Sequence, residues 1–181
     1  MIYVHLTDGF EEIEALTVVD LLRRAGIETF TVSMTQRLPV KGSHDIKVIA
    51  DLLFEDAVYG NCEMIVLPGG MPGTKNLDAH DGLREKIYSF NNQGKWLAAI
   101  CAAPMVLGHA GVLKGKKATC YPGHEKELAG AILMTDSVVS DGKVITSRGF
   151  GTAIPFALKI IEELKGKEAS DETAKKILYD L

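Results

Sequence analysis

The sequence predicts a doubly wound α/β sandwich with a mainly parallel sheet, formed as one domain over residues 1–181. Three observations carry that expectation. The strand-length segments Glu63–Leu67 and Trp96–Ile100 are almost wholly apolar, as strands covered on both faces are. Segments between such runs have helical periodicity, with an apolar stripe on one side. Turns of glycine or other small residues follow several strands, where sheets of this kind place their sites.

Met1–Leu6 reads as the first strand, and Asp8-Gly9 as a turn. Glu11–Ala25 follows as a helix. Ala15, Val18, Val19, Leu22 and Ala25 form its apolar stripe, and Glu12, Asp20, Arg23 and Arg24 face away. Ile13, Leu16 and Leu21 fall outside the stripe, more apolar surface than packing on one sheet requires. Gly26 stops the helix as a C′ glycine. Ile27–Met34 is the second strand. Leu38–Ala50 reads as a hairpin turning at Gly42-Ser43, and Leu52–Val58 as a short helix. Glu63–Leu67 is the next strand, Gly82–Asn92 a helix, Trp96–Ile100 a strand and Met105–Leu113 a helix. Lys117–Cys120 reads as a short strand, Tyr121-Pro122-Gly123 as a turn, and His124–Ala129 as one or two helical turns. Asp141-Gly142 between Ser137–Ser140 and Val144–Ser147 signals a hairpin. Thr152–Leu164 is a helix that buries Ile154, Ala157, Leu158, Ile161 and Leu164. Lys165-Gly166-Lys167 breaks it, and Asp171–Leu181 closes the chain as a helix with Ala174, Ile177, Leu178 and Leu181 on one side.

Hydrophobic residues make up 46% of the chain and charged residues 24%, the balance of an ordinary globular protein. The formal net charge of -4 provides no basic footprint for nucleic acid. No apolar run approaches the length of a membrane span. The sequence opens on a strand-like segment without a signal-peptide pattern. Cys62, Cys101 and Cys120 match neither a disulfide framework nor a zinc spacing. A cytoplasmic protein without nucleic-acid or membrane partners is expected.

Three loops carry candidate chemistry. Cys101 ends an apolar strand, and Ala102-Ala103-Pro104 opens a helix behind it, with proline suited to the first turn. A thiol there meets the positive helix end and unpaired amides, which would lower its pKa from the free value near ~8.5. Ala99, Ala102 and Ala103 leave room for a sharp turn and an approaching substrate. Inert packing is the other reading of such a cysteine. Glu14 shares a helix face with Val18 and Leu21, at the edge of the stripe. It is either a part-buried carboxyl with a raised pKa or a solvated edge residue. Pro68–Gly73 holds three glycines in six residues. It can cradle an anion or let backbone approach a ligand, or it is a tight connection, and it matches neither a P-loop nor a dinucleotide fingerprint. The acidic Asp8–Glu12 stretch disfavours a flavin phosphate. The loops Thr7–Glu14, Pro68–Gly73 and Cys101–Pro104 follow three consecutive core strands and should converge.

The runs DGFEEIEALTVVDLLRRAGI, VLPGGMPGTKNL, AAICAAPMVL and TSRGFGTAIPFALKIIEEL, in this order and spacing, resemble the ThiJ/PfpI superfamily and within it the subfamily of Parkinson disease protein 7. The resemblance covers nearly the whole chain. It implies a flavodoxin-like fold of the class I glutamine amidotransferase kind. It implies a nucleophile at Cys101 in a strained backbone conformation, a glutamate partner at Glu14, and an oxyanion or substrate pocket at Gly69, Gly70 and Ala102. It implies a homodimer using no metal or organic cofactor. The activities it suggests are glyoxalase or deglycase chemistry on small aldehydes and dicarbonyls, chaperone action and peroxide sensing. The protease-like branch has histidine directly after the cysteine; Ala102 stands here, so a peptidase role is not expected. The subfamily's other histidine falls on Tyr121, leaving His124, three residues on, as the candidate third catalytic residue. His44 lies in the hairpin where the family tends to place an arginine near the partner's site.

Overall fold

The computed structural model describes residues 1–179. The first half of the chain forms β1 (Ile2–Leu6), α1 (Glu12–Arg24), β2 (Thr29–Ser33), β3 (Pro39–Lys41), β4 (Lys47–Ile49), β5 (Leu52–Leu53), β6 (Met64–Leu67), α2 (Gly73–Asp78) and α3 (Asp81–Asn92). The second half forms β7 (Trp96–Ile100), α4 (Pro104–His109), β8 (Lys117–Ala118), β9 (Ile132–Leu133), β10 (Val138–Asp141), β11 (Val144–Ser147), α5 (Ala153–Lys165) and α6 (Lys167–Lys176). Seven strands make the main sheet in the order β10-β11-β7-β6-β1-β2-β5. Among the described residues of this sheet only β10 runs antiparallel, as the outer arm of the hairpin signalled by Asp141-Gly142.

Alternate residues of each central strand serve opposite faces. Met64, Val66, Trp96, Ala98 and Ile100 join the core under α1, α5 and α6. Ile65, Leu67, Leu97 and Ala99 join the core on the other face, with Leu77, Leu83, Ile87 and Leu107. Continuous apolar sequence is therefore what these strands require. The order places β1, β6 and β7 side by side, so the loops after them open at one edge of the sheet. Among the described residues no helix is long and apolar enough to cross a membrane.

Several local readings change. Residues 52–58 do not form an α-helix: Leu52 and Leu53 pair with β2 as its edge, and only Phe54–Asp56 turn, as a 3₁₀ helix. Asp51 anchors that edge through hydrogen bonds to the N–H (2.7 Å) and hydroxyl (2.8 Å) of Thr31, so tertiary pairing overrides local preference. Gly73, the last residue of the glycine loop, begins α2, which runs to Asp78. The helix after Cys101 stops at His109. The short strand at 117–118 pairs in parallel with β9, outside the main sheet. The last helix starts at Lys167 and ends at Lys176, because Gly166 breaks the chain for a single residue and Ser170, Thr173 and Ala174 then bury at once. Leu178 is exposed rather than on an apolar face; Leu181 lies outside the described residues. Leu21 is buried within the chain, whereas Ile13 and Leu16 are exposed.

Candidate active site

The three loops meet as expected from their strands. The N–H of Glu11 donates to the carbonyl of Gly69 (2.9 Å), and that of Gly73 to the carbonyl of Gly9 (3.2 Å). Behind β7 the backbone turns sharply: Cys101 has φ +65, a left-handed conformation that costs a non-glycine residue free energy. Two backbone bonds hold it there. The Cys101 N–H donates to Ser147 at the end of β11 (2.9 Å), and its carbonyl accepts from the Tyr121 N–H (2.8 Å). The cysteine side chain is half-buried, while Cys62 and Cys120 are buried.

Glu14, in the first turn of α1, is fully buried, so its edge position on the helix is covered by the neighbouring loop rather than by water. Its Oε2 accepts the Gly69 N–H at 2.8 Å. Its Oε1 has no hydrogen-bond partner with good geometry among the described residues, and the carboxyl lies against the Cys101 thiol. Gly69 is the spacer between them: a Cβ on it would sit 2.6 Å from Cys101 Cβ and 2.7 Å from Glu14 Oε2. Gly70 has φ +90, and a Cβ there would collide with the Glu11 amide, so glycine is needed at both positions.

Burial dominates the electrostatics. It pushes Glu14 up to about 7 against the Gly69 hydrogen bond, which favours the carboxylate. Burial and then the Glu14 charge push Cys101 up to about 12; the amides of Ala102 and Gly70 favour thiolate but do not offset this. The expected low thiol pKa is therefore corrected. Helix α4 is only six residues long, and desolvation of sulfur outweighs its terminal field. Cys62 and Cys120 are pushed up to about 11 by burial, so acidity does not single out Cys101; access and the Glu14 acceptor do.

The candidate residues fall into two groups. Cys101, Glu14, Gly70 and Ala102 come together. Gly69 joins them differently, because its N–H is committed to Glu14 rather than open to an oxyanion. His124 is half-buried, its ring edge-on to Tyr121 (centroids 6.5 Å apart), and among the described residues it makes no hydrogen bond to Cys101 or Glu14. Glu12, read as facing solvent, is 4% exposed. The hairpin of β3 and β4 folds over the start of α1, and His44 binds Glu12 through its backbone N–H (2.8 Å) and ring Nδ1 (2.9 Å). A helix wheel registers only one helix, so it carried no sign of this covering hairpin.

Fold and site together define a flavodoxin-like sandwich with a cysteine at a strained strand-to-helix turn and a buried glutamate facing it. The chain belongs to the DJ-1/PfpI family, whose sequence profile matches residues 1–163. It is 40% identical over 177 residues to Protein dj-1beta of Drosophila melanogaster, covering 97% of this chain and 95% of that one. It is 34% identical over 167 residues to the glutathione-independent glyoxalase DJR-1.2 of Caenorhabditis elegans, covering 91% and 88%. The solved structure of oxidized Toxoplasma gondii DJ-1 superposes with a TM-score of 0.96 at 36% identity, over 99% of this chain and 98% of that one. Two Arabidopsis thaliana relatives, DJ-1 homologs A and B, are longer, and the chain spans 46% and 40% of their lengths.

Proposed function

We propose that this protein is a cofactor-independent glyoxalase that converts small dicarbonyls such as methylglyoxal to hydroxy acids through Cys101. The observation that carries the reading is the fully buried Glu14, with one oxygen held by Gly69 and the other, without a well-aligned partner among the described residues, beside the thiol. With a pKa near 7, Glu14 gives and takes protons at neutral pH, as a general acid–base must. The name of the Caenorhabditis elegans relative supports the same chemistry.

The steps follow from the protonation states. At neutral pH the thiol keeps its proton, so ionised Glu14 accepts it as sulfur attacks the aldehyde carbon. A C–S bond forms and the carbonyl π pair moves to oxygen, where the amides of Gly70 and Ala102 would stabilise the negative charge. Proton return to that oxygen completes a hemithioacetal. Glu14 then removes the proton from the former aldehyde carbon, giving an enediol, and a proton is delivered to the adjacent carbon. The product is a thioester of the hydroxy acid. Water cleaves the C–S bond and the thiol is restored; the sum is addition of one water to the dicarbonyl. The same steps on an adduct of a dicarbonyl with an amine or thiol would release that group.

Incubation with methylglyoxal without glutathione should yield lactate over many turnovers, and Cys101→Ser should yield none. No lactate from the unmodified protein, or equal production by Cys101→Ser, overturns the reading. A second reading is favoured by the oxidized state named for the Toxoplasma gondii structure. In it Cys101 is a peroxide-responsive thiol whose sulfinate is held by Glu14 and the same amides, altering partner binding or holdase activity. Lack of turnover together with peroxide-dependent formation of a stable sulfinate would select it.

A further inference from the structure

The hairpin that covers α1 builds a second cluster near the cysteine site. Glu11 and Glu12, at the start of α1, converge on the imidazole of His44, and one ligand atom from each lies within 4.8 Å of the others. We propose that Glu11, Glu12 and His44 form a binding site for a divalent first-row transition-metal ion, with zinc as its simplest occupant, separate from the Cys101–Glu14 pair.

The donor set is one imidazole nitrogen and two carboxylates, the mixed set that zinc and its neighbours take in three-ligand sites. Distances fit as well. With bonds of ~2.0–2.2 Å, ligands of a tetrahedral zinc are about 3.4 Å apart. His44 Nδ1 lies 2.9 Å from Glu12 Oε2 and 3.7 Å from Glu11 Oε1, which brackets that separation. The His44 side chain is 67% exposed within the single chain, so the chain itself leaves a coordination position of such an ion open.

Charge points the same way. Among the described residues neither Glu11 nor Glu12 has a lysine or arginine within ion-pair distance; His44 is their counter-charge. Two carboxylates, one of them nearly buried, thus share a single imidazole. A divalent ion would neutralise both. The carboxylates are oriented in advance. Glu12 Oε1 accepts the His44 backbone N–H, and the Ser43 hydroxyl donates to Glu11 Oε2 (3.1 Å) or Glu12 Oε2 (3.2 Å). Hydrogen bonds of this kind around ligating oxygens hold a metal site in register. The hairpin backbone at Gly42 packs directly on the Glu12 carboxylate, where a Cβ would collide, which keeps Glu12 pointed at His44.

The test is calorimetric titration of zinc chloride into the full chain and into its Cys101→Ser variant, which removes the reactive thiol as a ligand. One ion per chain should bind both. His44→Ala and Glu12→Gln, each in the Cys101→Ser background, should weaken binding at least ~10-fold, since even outer-shell partners of ligands carry effects of that size. His44→Arg preserves a positive charge against the carboxylates but cannot ligate. It should fold and melt like its parent without metal, yet fail to bind zinc and gain no melting temperature from it. Absence of saturable zinc binding, loss of binding in Cys101→Ser alone, or undiminished binding in a folded His44→Arg protein would each overturn the proposal.

Discussion

At the scale of single residues, the site turns on where two protons sit. Burial raises the pKa of both Glu14 and Cys101, and the second proton is held more firmly because its loss would place two negative charges together. Glu14→Gln keeps an acceptor for the Gly69 amide and removes the exchangeable proton. Lactate formation should fall by at least ~10²-fold, the lower range for loss of a positioned acid–base group. Stability should move in the opposite direction. Glu14 goes from an ordinary value of 4.5 to about 7 in the fold, so the folded state binds more protons between those limits. Its contribution is full below pH 4.5 and is lost as pH rises through about 7. Glu14→Gln should therefore match the parent in urea unfolding at acid pH and exceed it at pH 8 by up to roughly 3 kcal/mol. Limiting iodoacetamide, followed by peptide mass spectrometry, should modify Cys101 before Cys62 and Cys120 because those two are buried. That labelling rate should climb as Glu14 ionises near neutrality, and the climb should vanish in Glu14→Gln.

At the scale of elements, the loop after β6 is the part that tolerates least. Gly69 does not need a left-handed backbone, so its demand for glycine comes from the closeness of Cys101, Glu14 and the Ile100 carbonyl. Gly69→Ala should leave the sheet intact by circular dichroism and force the thiol and carboxyl apart, reducing lactate production by at least ~10²-fold, as loss of the positioned acid–base does. Near-normal activity in a folded Gly69→Ala protein would mean that the pair does not act in contact. Element α1 depends on two layers. Leu22 and Val18 fix it to the sheet, while the β3–β4 hairpin seals its first turn at Glu12.

At the scale of the whole molecule, apolar side chains on α1 and the β3–β4 hairpin remain uncovered within the chain. Ile13 (54% exposed) and Leu16 (37%) lie on α1, and Ile46 (53%) and Ile49 (68%) lie on the hairpin beside it. Exposed apolar side chains on two neighbouring elements are what an interaction surface requires. We propose that a second copy of the chain covers it. Light scattering at micromolar concentration should give twice the chain mass of 19.6 kDa, and Ile13→Glu with Leu16→Lys should halve it while preserving the fold. A monomeric mass for the unmodified protein would exclude this arrangement at that concentration.

The sequence by itself determined the α/β class, the central strands and the convergence of three loops. Those follow from local periodicity and from a sheet rule that depends on strand order alone. It also pointed to Cys101 and, through four motifs in order, to the family. The edge at Leu52–Leu53, the burial of Glu12 under the hairpin and the joining of Glu11 and Glu12 to His44 were decided by contacts between residues 20 to 33 positions apart, which no window along the chain registers. The direction of the Cys101 shift was likewise a tertiary matter. The field of a helix end is local and can be read from sequence, but the desolvation that outweighs it depends on everything packed around the sulfur.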